Sequence, residues 1–453
     1  MRAAARPPGP GGSPLGLPFG GGRTDVANYL LDLARRYGDV VRLRLPSGGG
    51  YLLSHPDAVK DVLVTRSREV IKSRGLERAK RLLGEGLLTS ESELHLRQRR
   101  LVQPAFHRDR IAEYGAVMAA YAQAAAERFQ SGVRLDVSRE MMRLTLAIVG
   151  KTLFDAEVES AADEVSEALT AMQHLLPASL LPFSELFDRV PLPSNVRFWR
   201  ARARLDAVIY RIIAARRDAG DRGDLLSMLL AARDAEGDGR GMSDEQVRDE
   251  CMTLLLAGHE TTAQLLTWTW YLLSRHPQAE ARLHQEIDAR IGGRIPRVDD
   301  LPALEYVHAT LKESMRLYPP AWLIGRRVLH PFAVGDYVMP ARSIVLISPF
   351  VIQRDARWYR DPDRFDPQRW LGAEPPPPPK YAYIPFGGGP RVCIGEQFAW
   401  MEAALVLVTI ARRWRLAVPA DYDPELLPLI TLRPKHGMPA IPHPRTPLSS
   451  RPM

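Results

Sequence analysis

The sequence predicts a mainly α-helical fold with small β-sheets, built as a single domain. The pattern Ser-Asp-Glu-Gln at 243–246 fits a helix-capping box, and nothing interrupts the helical stretch after it before Pro277. About thirty residues at about 1.5 Å each make a rod of roughly 45 Å, enough to cross a large domain. Segments with strand character are short, such as Val40 to Leu45 and Ser343 to Ser348. A long central helix with scattered hairpins therefore defines the predicted class.

Composition is that of a soluble globular protein. Of 453 residues, 45% are hydrophobic and 25% charged, and the net charge of +8 is mild for this length. That charge hints at an acidic partner and does not imply nucleic acid. The two cysteines, Cys251 and Cys393, exclude a disulfide framework and favour a reducing compartment.

The chain divides into a Pro/Gly-rich segment, residues 1–25, expected to be flexible, and one domain over residues 26–453. The N-terminus lacks an apolar signal region. The most apolar long segment, Cys251 to Leu273, carries His259 and Glu260 near its middle, which would be costly in lipid. We therefore expect a cytoplasmic protein without a membrane anchor.

The remaining elements follow from periodicity and from turn residues. Three are regular: a helix over 26–37 ended by Gly38, a hairpin of 40–45 with 51–54, and a helix from Asp300 that stops at Pro319. We expect residues 70–90 to be irregular and residues 111–170 to be helical. Prolines should break the stretch 174–197, and residues 375–379 should be extended. Residues 429–432 and 440–441 are expected to form a final hairpin.

The stretch Phe386 to Gly395 carries the strongest chemical signal. Three consecutive glycines permit backbone angles that a Cβ forbids, which predicts a tight loop. Cys393 lies just before a helical apolar pattern, where the helix N-terminus favours a thiolate, a soft metal ligand. Gly395 would let the backbone lie close to a flat cofactor, and Arg391 can pair with an anion. A lone cysteine here would more often be a buried core residue.

These residues fit the pattern Phe-x-x-Gly-x-Arg-x-Cys-x-Gly, with Gly389 at its second specified position. The stretch resembles the haem-binding loop of the cytochrome P-450 family of haem-thiolate monooxygenases, and the resemblance covers the chain from about Val26. It implies that haem b is the cofactor and that Cys393 is its iron ligand. It also implies that Phe386, Arg391 and Gly395 contact the haem.

Further positions match that family's haem-propionate contacts. His95 and Arg99 are four residues apart and share one helical face. In the family, such a pair binds a propionate. Arg326 is expected to bind the second propionate, with Arg327 as its rival.

The middle of the long helix breaks local rules. Ala257-Gly-His-Glu-Thr-Thr262 places a glycine, an acid and threonines in an apolar run. The stretch matches the family's oxygen-activation motif, which implies that Glu260 and Thr261 manage protons. A core helix with a tolerated polar turn is the plain structural alternative.

A second family pattern concerns Glu313 and Arg316, which can pair at i, i+3. In the family, this pair joins a later arginine in a buried network, and Arg369 fits that place. The family commonly has Phe where this chain has Trp370.

The resemblance implies insertion of one oxygen atom from O₂ into a C–H bond, by hydroxylation or epoxidation, of an apolar substrate such as a fatty acid, terpenoid or macrocycle. Electrons would come from NAD(P)H through a ferredoxin and its reductase, because the chain shows no dinucleotide fingerprint. Arg97, Arg100 and Lys380 are the expected docking residues. A peroxide-using haem-thiolate enzyme and a non-catalytic haem sensor are the alternatives, and neither explains Glu260 beside Thr261. Candidate substrate-facing residues are Leu87, Leu88, Leu176, Phe183, Ala257, Trp322, Leu323, Ile324 and Ile430.

Overall fold

The computed structural model describes residues 6–11, 25–45, 48–156, 190–233, 239–372 and 376–445. Helices dominate these residues. They are α1 (Val26–Tyr37), α2 (Pro56–Lys60), α3 (Arg74–Leu83), α4 (Ser92–Val102), α5 (Arg108–Arg128), α6 (Val137–Phe154), α7 (Pro193–Ala219), α8 (Leu225–Ala231), α9 (Asp244–Arg275), α10 (Pro277–Arg290), α11 (Glu305–Leu317), α12 (Pro349–Ile352) and α13 (Glu396–Ala411).

The strands are short and form four small sheets. In chain order they are β1 (Val40–Leu45), β2 (Gly48–Leu53), β3 (Val70–Lys72), β4 (Leu135–Asp136), β5 (Ile324–Val328), β6 (Phe332–Val334), β7 (Tyr337–Met339), β8 (Ile344–Ile347), β9 (Trp414–Ala417), β10 (Leu426–Pro428), β11 (Leu432–Pro434) and β12 (Pro439–Pro444). The largest sheet has the order β1-β2-β8-β5-β3, and only its β2–β8 pair is parallel. The other sheets are β4-β12-β9, β6-β7 and β10-β11.

The mainly helical class is confirmed, and several elements match their predicted bounds. Helix α1 spans the predicted residues and ends at Gly38, whose φ of 89° suits glycine. The β1–β2 hairpin and strand β8 form as expected. Helix α9 is capped by the Ser243 side chain, which accepts a hydrogen bond from the Gln246 N–H at 3.2 Å.

Three predictions were wrong, two of them because strand pairing outweighed the local pattern. Residues 70–90 are largely regular, since β3 pairs with β5 and α3 follows it. The helix expected from Asp300 begins at Glu305, and Pro302 lies in a preceding 3₁₀ turn, Val298–Ala303. The final hairpin does not form as predicted, because β11 pairs with β10 whereas β12 pairs with β4 and β9.

Several predicted segments lie partly outside the described residues. Of the stretch predicted to be helical at 111–170, the structure shows α5 and α6 as far as Phe154. Of 174–197, it shows residues 190–197, where α7 begins at Pro193. Near the N-terminus, the Pro8 carbonyl accepts a hydrogen bond from the Arg42 N–H at 2.7 Å, so this segment lies against β1.

Helix α9 forms the centre of the core. Trp268 and Trp270 on it are among the largest fully buried side chains of the described residues. Helix α6 packs closely against α9, since the Thr145 hydroxyl donates to the His259 carbonyl at 2.9 Å. A Cβ on Gly258 would lie 3.2 Å from the Val149 side chain, which favours glycine there. In the described part of the chain, no helix is long and apolar enough to cross a membrane.

Candidate active site

The loop before α13 is shaped by glycine. Gly389 has a φ of +67°, and a Cβ on it would lie 2.0 Å from the Leu63 carbonyl oxygen, so any side chain would clash with backbone. The Cys393 N–H donates to the Phe386 carbonyl at 3.0 Å, which closes the loop. Gly395 caps α13, and an ideal Cβ on it would lie 4.0 Å from the Cys393 Sγ. The loop thus presents the thiol beside a residue that adds no bulk.

The Cys393 thiol remains accessible at the surface of this loop. Even so, the surrounding protein atoms raise its pKa above the ordinary value, and the nearby Gly395 N–H and Arg99 offset this only in part. The predicted preference for the thiolate is therefore not supplied by the helix N-terminus alone. A metal cation would supply it, because coordination removes the thiol proton.

Four predicted haem contacts converge in one cationic cluster. His95 is 3% exposed, and its pKa is lowered to about 3, first by burial and then by Arg391, Lys72 and Arg99. The pKa of Arg326 is lowered to about 10 by burial and by the charge of Arg391. Burial is the larger cause of both shifts, and neighbouring positive charges add to it. The cluster therefore suits an anionic group.

The arginines of this region have different partners. Arg391 pairs with Glu91 and donates to the Ser90 carbonyl at 2.9 Å, so it is not dedicated to a cofactor. Arg99 donates to the Val392 carbonyl at 2.9 Å and so braces the cysteine loop.

The rival arginines of β5 also differ. Arg327 pairs with Glu77 at 2.5 Å. Arg326 donates to the Gly325 carbonyl at 3.0 Å, and no carboxylate of the described residues forms an ion pair with it. This contrast favours Arg326 for an anionic ligand. An accessible thiol beside a cationic cluster fits a porphyrin with carboxylate side chains.

Lys72 belongs to this cluster but was not predicted. It lies on β3 directly opposite Arg326, and its ammonium donates to the Ser90 carbonyl at 2.7 Å. Burial, followed by the charge of Arg391, lowers the pKa of Lys72 to about 7. Its place depends on the β3–β5 pairing, which the sequence did not reveal.

The central turn of α9 is less buried than the rest of the helix. Most of this helix is buried, but Ala257 is exposed and Thr261 is half-buried. These two residues are one turn apart, and the Thr261 hydroxyl donates to the Ala257 carbonyl at 2.8 Å. A hydroxyl bonded in this way keeps its acceptor lone pairs for other donors.

Glu260 has partners of its own. Its carboxylate is 3% exposed and accepts a hydrogen bond from the Thr431 hydroxyl at 2.6 Å, and the same oxygen pairs with Arg433. Among the described residues, Glu260 and Thr261 share no hydrogen bond. The predicted acid and alcohol therefore lie side by side in sequence but have separate contacts.

A second buried acid faces α9 from α13. Burial raises the pKa of Glu402 well above its ordinary value, and only the Thr262 hydroxyl moderates the shift. Neither carboxyl oxygen has a partner of ordinary hydrogen-bond geometry within the described residues. Burial therefore favours the neutral form of the Glu402 carboxyl.

The buried network predicted around Glu313 is confirmed. Its carboxylate pairs with Arg316 at 2.8 Å and with Arg369 at 2.9 Å. Trp370 stands where the family commonly has Phe, and its indole N–H adds a hydrogen bond to Glu313 at 2.9 Å that Phe could not make. The network reaches the cysteine loop through Gln353, which accepts from the Ile384 N–H.

The predicted substrate-facing residues fall into two groups. Leu88 is 39% exposed and Ala257 is also exposed, which suits a cavity wall. Trp322 is buried, and its indole donates to the Leu429 carbonyl at 2.9 Å, so it supports the β10–β11 hairpin. Leu176 and Phe183 lie outside the described residues.

The predicted docking residues are not equivalent. Arg97 donates to the Gln246 side chain at 3.2 Å and to the carbonyls of Arg240 and Gly241 at 3.0 Å. These bonds tie it to the loop before α9. Lys380 lies 5.9 Å from the centre of the Tyr381 ring.

Comparison with known proteins bears directly on this site. The family model described as Cytochrome P450 matches residues 7–439. Cyclooctatin synthase of Streptomyces melanosporofaciens is 43% identical over 89% of both chains. The cyclooctat-9-en-7-ol 5-monooxygenase of the same organism is 39% identical, over 84% of this chain and 83% of its own. Pentalenene oxygenase of Streptomyces avermitilis is 38% identical, over 89% of this chain and 90% of its own.

Proposed function

The chain belongs to the cytochrome P450 family of monooxygenases, and we propose that its substrate is a cyclic terpenoid hydrocarbon or alcohol. The observation that carries this proposal is the similarity to relatives named for cyclooctat-9-en-7-ol and pentalenene oxidation. Three classes were compatible with the sequence, and these relatives favour terpenoids over fatty acids and macrocycles.

The exposed residues of the site are consistent with such a substrate. Ala257 and Leu88 offer apolar surface, and the nearby acid, Glu260, is already neutralised by Arg433. Unpaired charge would disfavour a hydrocarbon by leaving a polar group without water. A cyclic terpenoid would be held by shape and burial alone.

Haem b would be held by Cys393 through its thiolate and by His95, Arg99, Arg326 and Arg391 through its propionates. Bound in this way, haem supplies the chemistry that activates O₂. Phe386 supports the loop through its carbonyl, which accepts from the Cys393 N–H. Gly395, which adds no side chain beside the Cys393 Sγ, would leave room for the cofactor. The network around Glu313 fixes the segment that leads into the loop.

The distal residues would handle protons. One oxygen atom of O₂ enters the substrate, and the other leaves as water, which requires two protons and two electrons. The Thr261 hydroxyl would hold a proton-donating water, and the Glu260 carboxylate would relay protons from solvent. The apolar surroundings exclude other water.

The electrons would come from NAD(P)H through a ferredoxin and its reductase in the cytoplasm. The net charge of +8 suits an acidic iron–sulfur protein.

Turnover tests the proposed substrate class. The haem-loaded protein, a surrogate ferredoxin, its reductase and NAD(P)H would be incubated under ¹⁸O₂ with cyclic terpenes, fatty acids and macrolides. We expect one ¹⁸O atom to enter a terpene. Oxidation of only the fatty acids or macrolides would contradict the substrate class, and product formed only with added hydrogen peroxide would favour a peroxide-using enzyme.

The ligand assignment is tested by Cys393→Ser. The reduced carbon-monoxide complex of the wild type should show the red-shifted Soret band of a thiolate haem, and the variant should lose it. Cys251→Ser is the matched control, because this buried thiol lies in α9 and not in the loop. Loss of the band in the control instead would refute the assignment.

A further inference from the structure

The β10–β11 hairpin is fixed at its turn by two indoles of the core. The Trp268 N–H donates to the Leu432 carbonyl and the Trp322 N–H to the Leu429 carbonyl, both at 2.9 Å. The Leu432 N–H also donates to the Pro320 carbonyl at 3.0 Å. Residues 429–432 are therefore held in place by three bonds, one from α9 and two from the stretch 320–322. Side chains next to these anchors are positioned rather than free to move.

Two such side chains hold one oxygen of Glu260. The Thr431 hydroxyl donates to Oε1 at 2.6 Å, and an Arg433 Nη donates to the same atom. Arg433 has 20% of its side chain exposed, whereas Glu260 has 3%. The pair thus links a buried carboxylate of the central helix to a cation that reaches solvent.

Arg433 is the cation that, among the described residues, forms an ion pair with Glu260. Among the described residues, the titratable neighbours with which it interacts are Arg433 and His259. Burial lowers the pKa of His259, so that imidazole is neutral at pH 7. Within the described part of the chain, Arg433 is therefore the charge that balances Glu260.

We propose that Arg433 and Thr431 are positioning residues that keep the Glu260 carboxylate ionised and away from Thr261 until a proton is delivered. The proposal rests on the proton-relay function proposed for Glu260. A carboxylate relays a proton only if it first takes one up. The route to solvent then runs along β11 past Arg433, and the hairpin controls when Glu260 leaves its bound position.

Removal of the cation should change the protonation of Glu260. A buried carboxylate without its cation favours the neutral form. In Arg433→Ala, we therefore expect an infrared carbonyl band of a protonated buried carboxyl at pH 7. The band should be absent from the wild type and from the Arg433→Ala/Glu260→Gln double variant. This readout does not require turnover.

Turnover provides the second readout. Product formed per NAD(P)H consumed should fall roughly tenfold or more in Arg433→Ala, since positioned proton transfer is typically worth 10²–10⁴-fold. The substrate KM should remain unchanged. The solvent deuterium isotope effect on kcat should rise, and the pH at which kcat is highest should change. Arg433→Lys should restore most of the coupling, and Thr431→Val should lie between them.

Arg445→Ala is the matched control, because Arg445 pairs with Asp288 in a similarly buried pair on other elements. It should behave as the wild type does in both readouts. The proposal is overturned if Arg433→Ala shows neither the band nor lost coupling, or if Arg445→Ala shows the same changes. If Arg433→Ala fails to fold, the other two variants decide. The proposal is then overturned if Arg433→Lys and Thr431→Val both show the same coupling and the same isotope effect as the wild type. If the wild type oxidises no terpenoid but Arg433→Ala still shows the band and the wild type does not, only the proposed substrate is refuted.

Discussion

Replacing Trp370 with Phe tests the buried network around Glu313. The variant keeps an aromatic ring but removes the indole donor that lies 2.9 Å from the Glu313 carboxylate. A hydrogen bond to a charged group typically contributes about 1.5–3 kcal/mol. Arg316 and Arg369 still hold the carboxylate. We therefore expect the free energy of unfolding to fall by ~2 kcal/mol, which lowers the folded-to-unfolded ratio about 30-fold.

This loss should depend on pH. Burial raises the pKa of Glu313, but the Arg316 hydrogen bonds and the charges of Arg316 and Arg369 outweigh burial and hold it below its ordinary value. A depressed folded-state pKa gives stability that is complete above the unfolded-state value, about 4.3, and is lost as pH falls. The difference in the free energy of unfolding between wild type and Trp370→Phe should stay constant above about pH 6 and become smaller below about pH 4.5.

The assay is urea unfolding of the haem-loaded protein, followed by far-UV circular dichroism. Trp358→Phe is the matched control, because the buried Trp358 Nε1 has no hydrogen-bond partner within the described residues. Its removal should cost less than about 0.5 kcal/mol, since no bond is lost. If both variants lose the same free energy of unfolding, or if the loss in Trp370→Phe does not become smaller in acid, the reasoning is refuted. The size of the ring would then explain the loss, and the hydrogen bond from the Trp370 indole to Glu313 would not.

Three further predictions concern the site. Arg326→Gln should raise the rate of haem loss about tenfold or more, because charge-assisted bonds are worth about 1.5–3 kcal/mol. Arg327→Gln should change that rate less than about fivefold, because Arg327 pairs with a surface carboxylate. The rate of haem transfer to apomyoglobin measures haem loss in both variants. Thr261→Ala should still consume NAD(P)H but release hydrogen peroxide in place of product, while Thr267→Ala, which loses the same kind of bond to a preceding carbonyl, should remain coupled. Electron transfer from an acidic ferredoxin should slow as salt rises from about 0.1 to 1 M, because the Debye length falls from about 10 to about 3 Å; a rate independent of salt would contradict charge-steered docking.

The sequence predicted elements whose boundaries are set by local chemistry. Gly38 ends α1 and Ser243 caps α9, and both positions follow from backbone conformation and a single side-chain bond. Two of the wrong predictions, at 70–90 and at the final hairpin, concern segments whose strand pairing the local pattern does not specify. Residues 70–72 form a strand only because residues 326–328 lie alongside them.

The same distinction separates the parts of the site. The sequence placed Glu260 and Thr261 on one turn, but it could not show that Glu260 binds a hairpin more than 170 residues later. It grouped Arg391 with the cofactor, but Glu91, which pairs with that arginine, carried no recognisable pattern. Side-chain partners can be supplied from many places in a fold, so neither contact has a sequence signature.

The cysteine loop could be predicted because its specified residues satisfy requirements of the backbone. Gly389 faces the Leu63 carbonyl at a distance that no Cβ tolerates, and Cys393 donates its N–H to the Phe386 carbonyl. Arg99 donates to the carbonyl of Val392. Every residue type offers the same carbonyl, so these contacts depend little on the identity of the residue that supplies it. A short pattern can therefore specify this loop, whereas the polarity and proton supply of the surrounding cavity depend on side chains contributed by the rest of the chain.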